Sequence, residues 1–418
     1  MAGRTFAACF FRVGHEGGAG LPDVDTLQPT LSLDSKGRDT RLDFWRGLCL
    51  IDMVLVHLIY ADVQFGLFFG KVLTDYTRFA AGGFVFLSGL LMGTIFLPKA
   101  IVQSEQSGHA WPVYRRIWAR AGRLLIVQYI TTTLLMLMDV PTGGRAAFAH
   151  PMRFVTDLLR CRTGNDLLML YVGMLAVTPL LLELLRRHLW PVIAMASILL
   201  FGYGTRHPWR LAFVHHGEFP VLLWQAVFVS GLLFTYGLRA FDRANHRYRV
   251  LVIGYLGVAF AIIFQSANAG ELGMQHPWLH LRFWKIPLTF GEYLRYTVTT
   301  LLLMLVTNAF WGHLKNARLT AFIRLLGRNS LFVYVSHLYL QEVVASLAYR
   351  TWAIGPWQFS YAIAMIALLG AMAFAMERFA VWRKISFPTL SHPSSVQPTS
   401  LDSAGSLSSS DAMIGFQS

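Results

Sequence analysis

The chain has 418 residues, of which 55% are hydrophobic and only 14% are charged, and its mean hydropathy is +0.48. This composition is too apolar for an ordinary soluble protein and indicates a polytopic membrane protein. The formal net charge of +14 comes from Lys and Arg in loops between apolar runs, which argues against the single basic, aromatic-rich patch of a nucleic-acid-binding protein.

The apolar runs lie between two polar terminal segments. Residues 1–37 contain one short apolar patch followed by Gly, Pro and Asp, which predicts a flexible cytoplasmic leader. Residues 38–385 carry the long apolar runs and form the predicted transmembrane domain. Residues 386–418 are Ser-rich and contain several prolines, so we expect a disordered cytoplasmic tail that cannot bury enough apolar surface to fold.

The apolar runs predict the fold class. A helix needs about 20 predominantly apolar residues to cross the hydrocarbon core, and this length predicts an all-α bundle of about ten transmembrane helices. The predicted spans are residues 43–61, 79–98, 120–139, 165–185, 189–204, 219–238, 249–267, 293–312, 329–349 and 357–377.

The distribution of positive charge predicts the orientation of this bundle. Every second loop is rich in Lys and Arg, as in the segment with Arg239, Arg243, Arg247 and Arg249. Basic loops stay on the cytoplasmic side of a membrane. We therefore expect both termini in the cytoplasm.

The first predicted span carries three ionisable side chains, Arg46, Asp52 and His57. Arg46 and His57 are separated by ten residues, or about three helical turns, so both project from nearly the same face, about 16 Å apart along the axis. Such residues cost a few kcal/mol in hydrocarbon and usually face a protein interior or a water-filled cavity. Asp52 lies about 140° from His57 around the helix, so we expect any partner of Asp52 on another helix.

Each of these residues also has a simpler interpretation. Arg46 lies close enough to the helix start to extend its guanidinium to cytoplasmic headgroups. His57 could be satisfied by a neighbouring carbonyl at the outer boundary. A transporter or exporter is the alternative function, in which Arg46, Asp52 and His57 line a polar pathway without making or breaking bonds.

The first span also resembles a known family. The stretch RLDFWRGLCLIDMVLVH resembles the first helix of the membrane acyltransferase-3 superfamily, which has an R-x-D-x-x-R-G element and an Arg followed by ten residues and a His. The residues that match this pattern are Arg41, Asp43, Arg46, Gly47 and His57.

Two further segments carry the resemblance. FAAGGFVFLSGLLMG is similar to the second helix of the superfamily and contains Ser88, and LLGRNSLFVYVSHLYL resembles its G-R-x-S-L element. The opening RDTRLDFWRGL and FVFLSG look most like the OpgC branch, whose members succinylate periplasmic glucans. The resemblance implies an integral-membrane O-acyltransferase that moves a succinyl or acetyl group from cytoplasmic acyl-CoA to a glycan or other carbohydrate hydroxyl.

The residue chemistry fits roles in such a transfer. Arg46 lies near the cytoplasmic mouth, where a guanidinium would bind CoA phosphates. His57 is suited to take the proton from the attacking hydroxyl. His337 would orient the acceptor or stabilise developing charge if its helix packs against the first span. The alternative for His337 is a bundle histidine satisfied by backbone or by Ser336.

The remaining expectations concern binding partners. We expect Arg41, Asp43, Ser88 and Asp52 at the substrate site, although Ser88 is equally typical of close helix packing. Acyl-CoA is the expected co-substrate, with no permanently bound cofactor, and the three cysteines lack metal-type spacing, so we expect no metal. The other expected partners are a carbohydrate acceptor and the lipid bilayer, in a bacterial inner membrane and without nucleic acid. A homo-oligomer is compatible with the sequence.

Overall fold

The computed structural model describes residues 39–60, 79–137, 166–207, 219–271, 283, 287–351 and 357–379. Every element of regular secondary structure in these residues is a helix, which confirms the all-α fold class. The predicted leader (1–37) and tail (386–418) lie outside the described residues. Contacts within the chain divide it into two compact units, Met1–Ala373 and Phe374–Ser418, and the site described below lies in the first.

The helices are numbered in chain order. They are α1 (Thr40–Tyr60), α2 (Ala80–Leu91), α3 (Leu97–Ser107), α4 (Trp111–Leu137), α5 (Asp166–Arg186), α6 (Trp190–Arg206), α7 (Val221–Arg243), α8 (His246–Glu271), α9 (Phe290–Ala309), α10 (Trp311–Leu314), α11 (Arg318–Arg328), α12 (Ser330–Thr351) and α13 (Trp357–Arg378). A π-helical segment, Met92–Phe96, joins α2 to α3 and makes Ala80–Ser107 one continuous helix.

All ten predicted spans coincide with helices in this list. By length and composition alone, five helical stretches in the described residues are suited to cross a membrane: Ala80–Ser107, Leu167–Arg186, Val221–Arg243, His246–Ser266 and Ser360–Arg378. These five are consistent with a membrane protein. The larger number of about ten crossings stays a prediction.

The centre of the bundle depends on close contact between α2 and α7. Gly89 of α2 faces the backbone carbonyl of Phe228, and Gly231 of α7 faces the carbonyl of Phe86; a Cβ on either glycine would overlap that oxygen. Small residues let two membrane helices pack with their backbones almost touching. The side chains of Phe86 and Phe228 are consequently almost fully buried.

A second close contact brings α11 against α1. Gly47 of α1 faces the carbonyl of Ile323, and Gly327 of α11 faces the carbonyl of Asp43, again without room for a Cβ. Helix α11 was not among the predicted spans, because it has only 11 residues. Since α12 begins at Ser330, directly after α11, this contact also places the start of α12 beside α1.

The helices at the periphery show apolar side chains on their outer faces. On α8, Val250, Leu251, Tyr255 and Val258 are each more than half exposed. A helix that leaves large apolar side chains uncovered fits a lipid environment, in which those side chains need no protein partner.

The polar ends of three helices meet and show their relative direction. Arg41 at the start of α1 contacts Asp242 near the end of α7 and Asn308 near the end of α9. The start of α1 and the ends of α7 and α9 therefore lie on the same side of the bundle. His57, near the other end of α1, lies about 24 Å further along that helix.

Candidate active site

Two histidines from distant parts of the chain meet inside the bundle. His57 Nδ1 on α1 lies 3.0 Å from His337 Nε2 on α12. The two rings are nearly parallel, with 18° between their planes and 5.1 Å between their centres. At this distance the nitrogens share a hydrogen bond, in which one ring donates and the other accepts.

The packing around His337 accounts for its position. Its side chain is completely buried, and the ring of Tyr334, one turn earlier on α12, meets it edge-on with 5.3 Å between ring centres. His57 is only partly buried. Of the two imidazoles, His57 is therefore the one that a reactant can approach, while His337 lies behind it.

The hydrogen bond couples the protonation of one ring to that of the other. When His57 donates from Nδ1, its Nε2 carries a lone pair and acts as a base. When His337 donates from Nε2 instead, His57 carries its hydrogen on Nε2 and cannot accept a proton there. The first tautomer has the arrangement found in catalytic triads, where a buried acceptor holds a histidine in its basic form.

Arg46 and Ser88 lie together on the first two helices. Arg46 is half-buried on α1, and Ser88 is half-buried on α2, which packs against α1. The buried hydroxyl of Tyr171 on α5 lies near both. The structure therefore brings these two predicted residues into one polar region. Arg46 lies about 16 Å from His57 along the axis of α1.

Arg41 belongs to a buried ion network at the start of α1. Its Nη2 lies 3.3 Å from Asp39 and its Nη1 lies 3.4 Å from Asp242, and both pairs of side chains are 5% exposed. Nη1 also donates to Asn308, whose amide donates to Asp242. Burial raises the pKa of the Asp39 carboxyl above its ordinary value, and the neighbouring Arg41 acts against that shift.

The other two predicted substrate residues are also buried on α1. Asp43 is 2% exposed and lies where α11 crosses α1, and Asp52 is 4% exposed. The structure therefore places Arg41 and Asp43 at one end of α1 and the histidine pair towards the other, with Arg46 and Asp52 between them.

The comparison with known protein families matches residues 38–381 to the family described as OpgC protein. The chain belongs to this family. Membership indicates an acyltransferase-type enzyme that modifies glucans, in agreement with the resemblance found in the first span. No curated protein shows a significant match to the chain.

Several polar residues of this region were not predicted from the sequence. Asp242 and Asn308 lie near helix ends, and only the folded structure shows that both face Arg41. Tyr334 lies one turn before His337, so the predicted late helix already placed it on the same face. Within the described ranges, no group of three or more His, Cys, Asp or Glu is arranged to hold a metal ion.

Proposed function

We propose that this protein is an integral-membrane O-acyltransferase of the acyltransferase-3 superfamily. It transfers a succinyl or acetyl group from cytoplasmic acyl-CoA to a glycan hydroxyl, in a bacterial inner membrane with both chain termini in the cytoplasm. The observation that carries the proposal is the His57–His337 pair, with one nitrogen-to-nitrogen distance of 3.0 Å. The family assignment adds glucan modification as the setting.

The chemical step is a direct acyl transfer. The acceptor hydroxyl oxygen attacks the thioester carbon while its proton passes to Nε2 of His57. The carbon–sulfur bond then breaks, and the CoA thiolate leaves and takes the proton from the His57 imidazolium. A positioned base of this kind contributes about 10²- to 10⁴-fold to the rate.

His337 acts on this step through His57. It accepts the hydrogen bond from Nδ1 of His57. The lone pair on Nε2 of His57 therefore points away from His337. As positive charge develops on His57, that hydrogen bond becomes charge-assisted and stronger. Complete burial of His337 supports this role, because no water competes for its acceptor nitrogen.

The donor fits the spacing along α1. Arg46 would bind a phosphate of CoA by charge-assisted hydrogen bonds at the cytoplasmic side. An extended pantetheine arm, with the spacing of an extended peptide, is about 15 Å long. This length is close to the distance of about 16 Å along the axis between Arg46 and His57, so the thioester would reach the histidine.

The test is transfer of labelled succinyl or acetyl groups from acyl-CoA to glucan oligosaccharides by the purified protein. We expect His57→Ala to lose about 10²-fold or more of the activity while its thermal midpoint stays close to that of the wild type. His313→Ala, a change at an exposed histidine of α10, is the matched control and should leave transfer unchanged. Full activity of the His57 variant would refute the mechanism.

A binding experiment tests the donor separately from the acceptor. A ligand at 100 times its dissociation constant stabilises the folded state by about 2.7 kcal/mol. CoA, acetyl-CoA and succinyl-CoA should therefore raise the thermal midpoint of the wild type, and Arg46→Ala should reduce this effect. A wild type with no response to any of the three would exclude acyl-CoA as the donor and favour the transporter.

A further inference from the structure

The last turn of α7 contains a buried cation, Arg239, that has no counterion among the residues that the structure describes. The Arg239 side chain is only 7% exposed, and its Nε and Nη2 groups are buried without a hydrogen-bond partner. The two other buried arginines of the described residues differ in this respect. Arg41 pairs with Asp39 and Asp242, and Arg295 pairs with Glu292 at 2.5 Å.

An isolated guanidinium in this position is costly for the folded protein. A buried charge loses its hydration, and each buried N–H without an acceptor loses a hydrogen bond that water would supply. Two neighbours on α7 act on Arg239 in opposite directions, since Tyr236 favours the charged guanidinium and the cation Arg243 opposes it, and neither group is a hydrogen-bonded counterion. An anion from outside the chain would offset this cost, because it would supply both the missing negative charge and the missing hydrogen-bond acceptors.

The same helix, α7, shows a second unsatisfied polar group. Thr235, one turn before Arg239, is completely buried, and its hydroxyl has no hydrogen-bond partner. The buried threonines Thr94 and Thr178 donate to the carbonyl four residues earlier, whereas the buried hydroxyl of Thr300 on α9, like that of Thr235, has no partner. Thr235 therefore differs from the usual arrangement of a helical threonine.

The π segment Met92–Phe96 lies against this part of α7. Its Gly93 faces the Thr235 hydroxyl so closely that a Cβ would overlap the oxygen. π segments inside helices are rare and occur frequently at functional sites. Three features thus lie where the continuous helix Ala80–Ser107 passes the end of α7: the π segment, the unpaired Thr235 hydroxyl and the unpaired Arg239 guanidinium.

The position of Arg239 along the bundle indicates where its ligand enters. It lies three residues before Asp242, which contacts Arg41 at the start of α1. It is therefore near the same level as Arg46, within about 3 Å along the axis. In the proposed topology this level is close to the cytoplasmic side.

We propose that Arg239, with the Thr235 hydroxyl opposite the π segment, forms an anion site that binds a phosphate group of the acyl donor. The planar guanidinium binds phosphate oxygens in pairs, and a hydroxyl donates to a third. This inference rests on the proposed function, because it assumes that the donor is a CoA thioester. It adds a second donor-binding arginine to Arg46.

The experiment compares Arg239→Met with the wild type of the full chain in detergent. The two readouts are the thermal midpoint without ligand and the dissociation constants of CoA and of pantetheine, which lacks the phosphates. We expect Arg239→Met to raise the midpoint of the unliganded protein, because the substitution removes an uncompensated buried charge. We also expect the variant to bind CoA about tenfold more weakly or worse, with pantetheine binding unchanged.

Arg247→Gln is the matched control, because it removes the same charge from an exposed position at the start of α8. It should change neither readout. A merely structural role for Arg239 predicts the opposite pattern, with a lower midpoint and unchanged CoA affinity, and that result would overturn the inference.

Two further outcomes separate the competing explanations. In nanodiscs, stabilisation of the wild type by phosphatidylglycerol over phosphatidylcholine that is lost in Arg239→Met, together with unchanged CoA affinity, would assign the site to a lipid headgroup and overturn the inference. If CoA binds the wild type and Arg239→Met equally well, the inference fails and the proposed function stands. If CoA does not bind the wild type, the proposed donor fails and this inference fails with it.

Discussion

The pairing of His57 with His337 predicts a specific hierarchy of activity among variants. His57→Ala removes the proposed base, which should cost about 10²- to 10⁴-fold in kcat. His337→Ala leaves that base in place and removes one buried hydrogen bond, formed across 3.0 Å. Losing such a bond costs about 1–3 kcal/mol, so kcat should fall by about 5- to 150-fold.

A conservative variant distinguishes positioning from packing. The amide oxygen of His337→Gln can accept from Nδ1 of His57 at the position of the lost nitrogen, so this variant should recover part of the activity that His337→Ala loses. The assay is single-turnover transfer from labelled acyl-CoA, with the thermal midpoint of each variant measured in parallel. A variant with a normal midpoint and low activity would show an effect on chemistry.

The double variant gives the decisive comparison. If His337 acts only through His57, then adding His337→Ala to His57→Ala should cost almost nothing further. Independent roles would instead give a double variant whose loss is the product of the two single losses. That additive result, or equal activity of His337→Ala and the wild type, would refute the proposed coupling.

Three further predictions concern the bundle itself. The raised pKa of Asp39 means that its contribution to stability is present below pH 3.8 and is lost as the pH rises through the folded-state pKa. Relative to Asp39→Asn, the wild type should therefore lose thermal stability as the pH rises above about 4, and parallel curves would contradict this. Arg41→Ala leaves two buried carboxylates without their cation and should lower the unfolding free energy by about 3–5 kcal/mol in denaturant titrations. Gly231→Ala should cost about 1–3 kcal/mol by overpacking against α2, whereas Gly254→Ala, whose added Cβ meets nothing within 4 Å, should not destabilise the protein in the same assay.

The sequence located the long helices well, because the length of an apolar run is a local signal. The predicted first and last spans, 43–61 and 357–377, agree with Thr40–Tyr60 and Trp357–Arg378 to within three residues at each end. The short α11 was missed, since a 20-residue window cannot detect it. A helical pattern of apolar residues was nevertheless present there, at Leu319, Phe322, Ile323 and Leu326.

The site was only partly predictable. The resemblance to known acyltransferases selected His57, Arg46 and His337, but their mutual distances depend on which helices touch, and periodicity along one chain carries no such information. Arg239 illustrates the limit. The charge pattern of the sequence predicts a basic loop at Arg239, whereas in the structure α7 continues to Arg243 and Arg239 is buried in its last turn. The sequence alone does not distinguish a charged residue near a helix end that faces solvent from one that faces a pocket.

The separation of the two histidines along the chain has a consequence for biosynthesis. They lie 280 residues apart, and the close contact of α11 with α1 through Gly47 and Gly327 holds the start of α12 beside α1. Since a chain is synthesised from its N-terminus, α1 is made before most of the other helices, including α12, which carries His337. An unfinished or truncated copy that already exposes His57 would lack the buried acceptor behind it. Completion of the chain would therefore raise the transfer activity, and incomplete copies would consume the acyl donor more slowly.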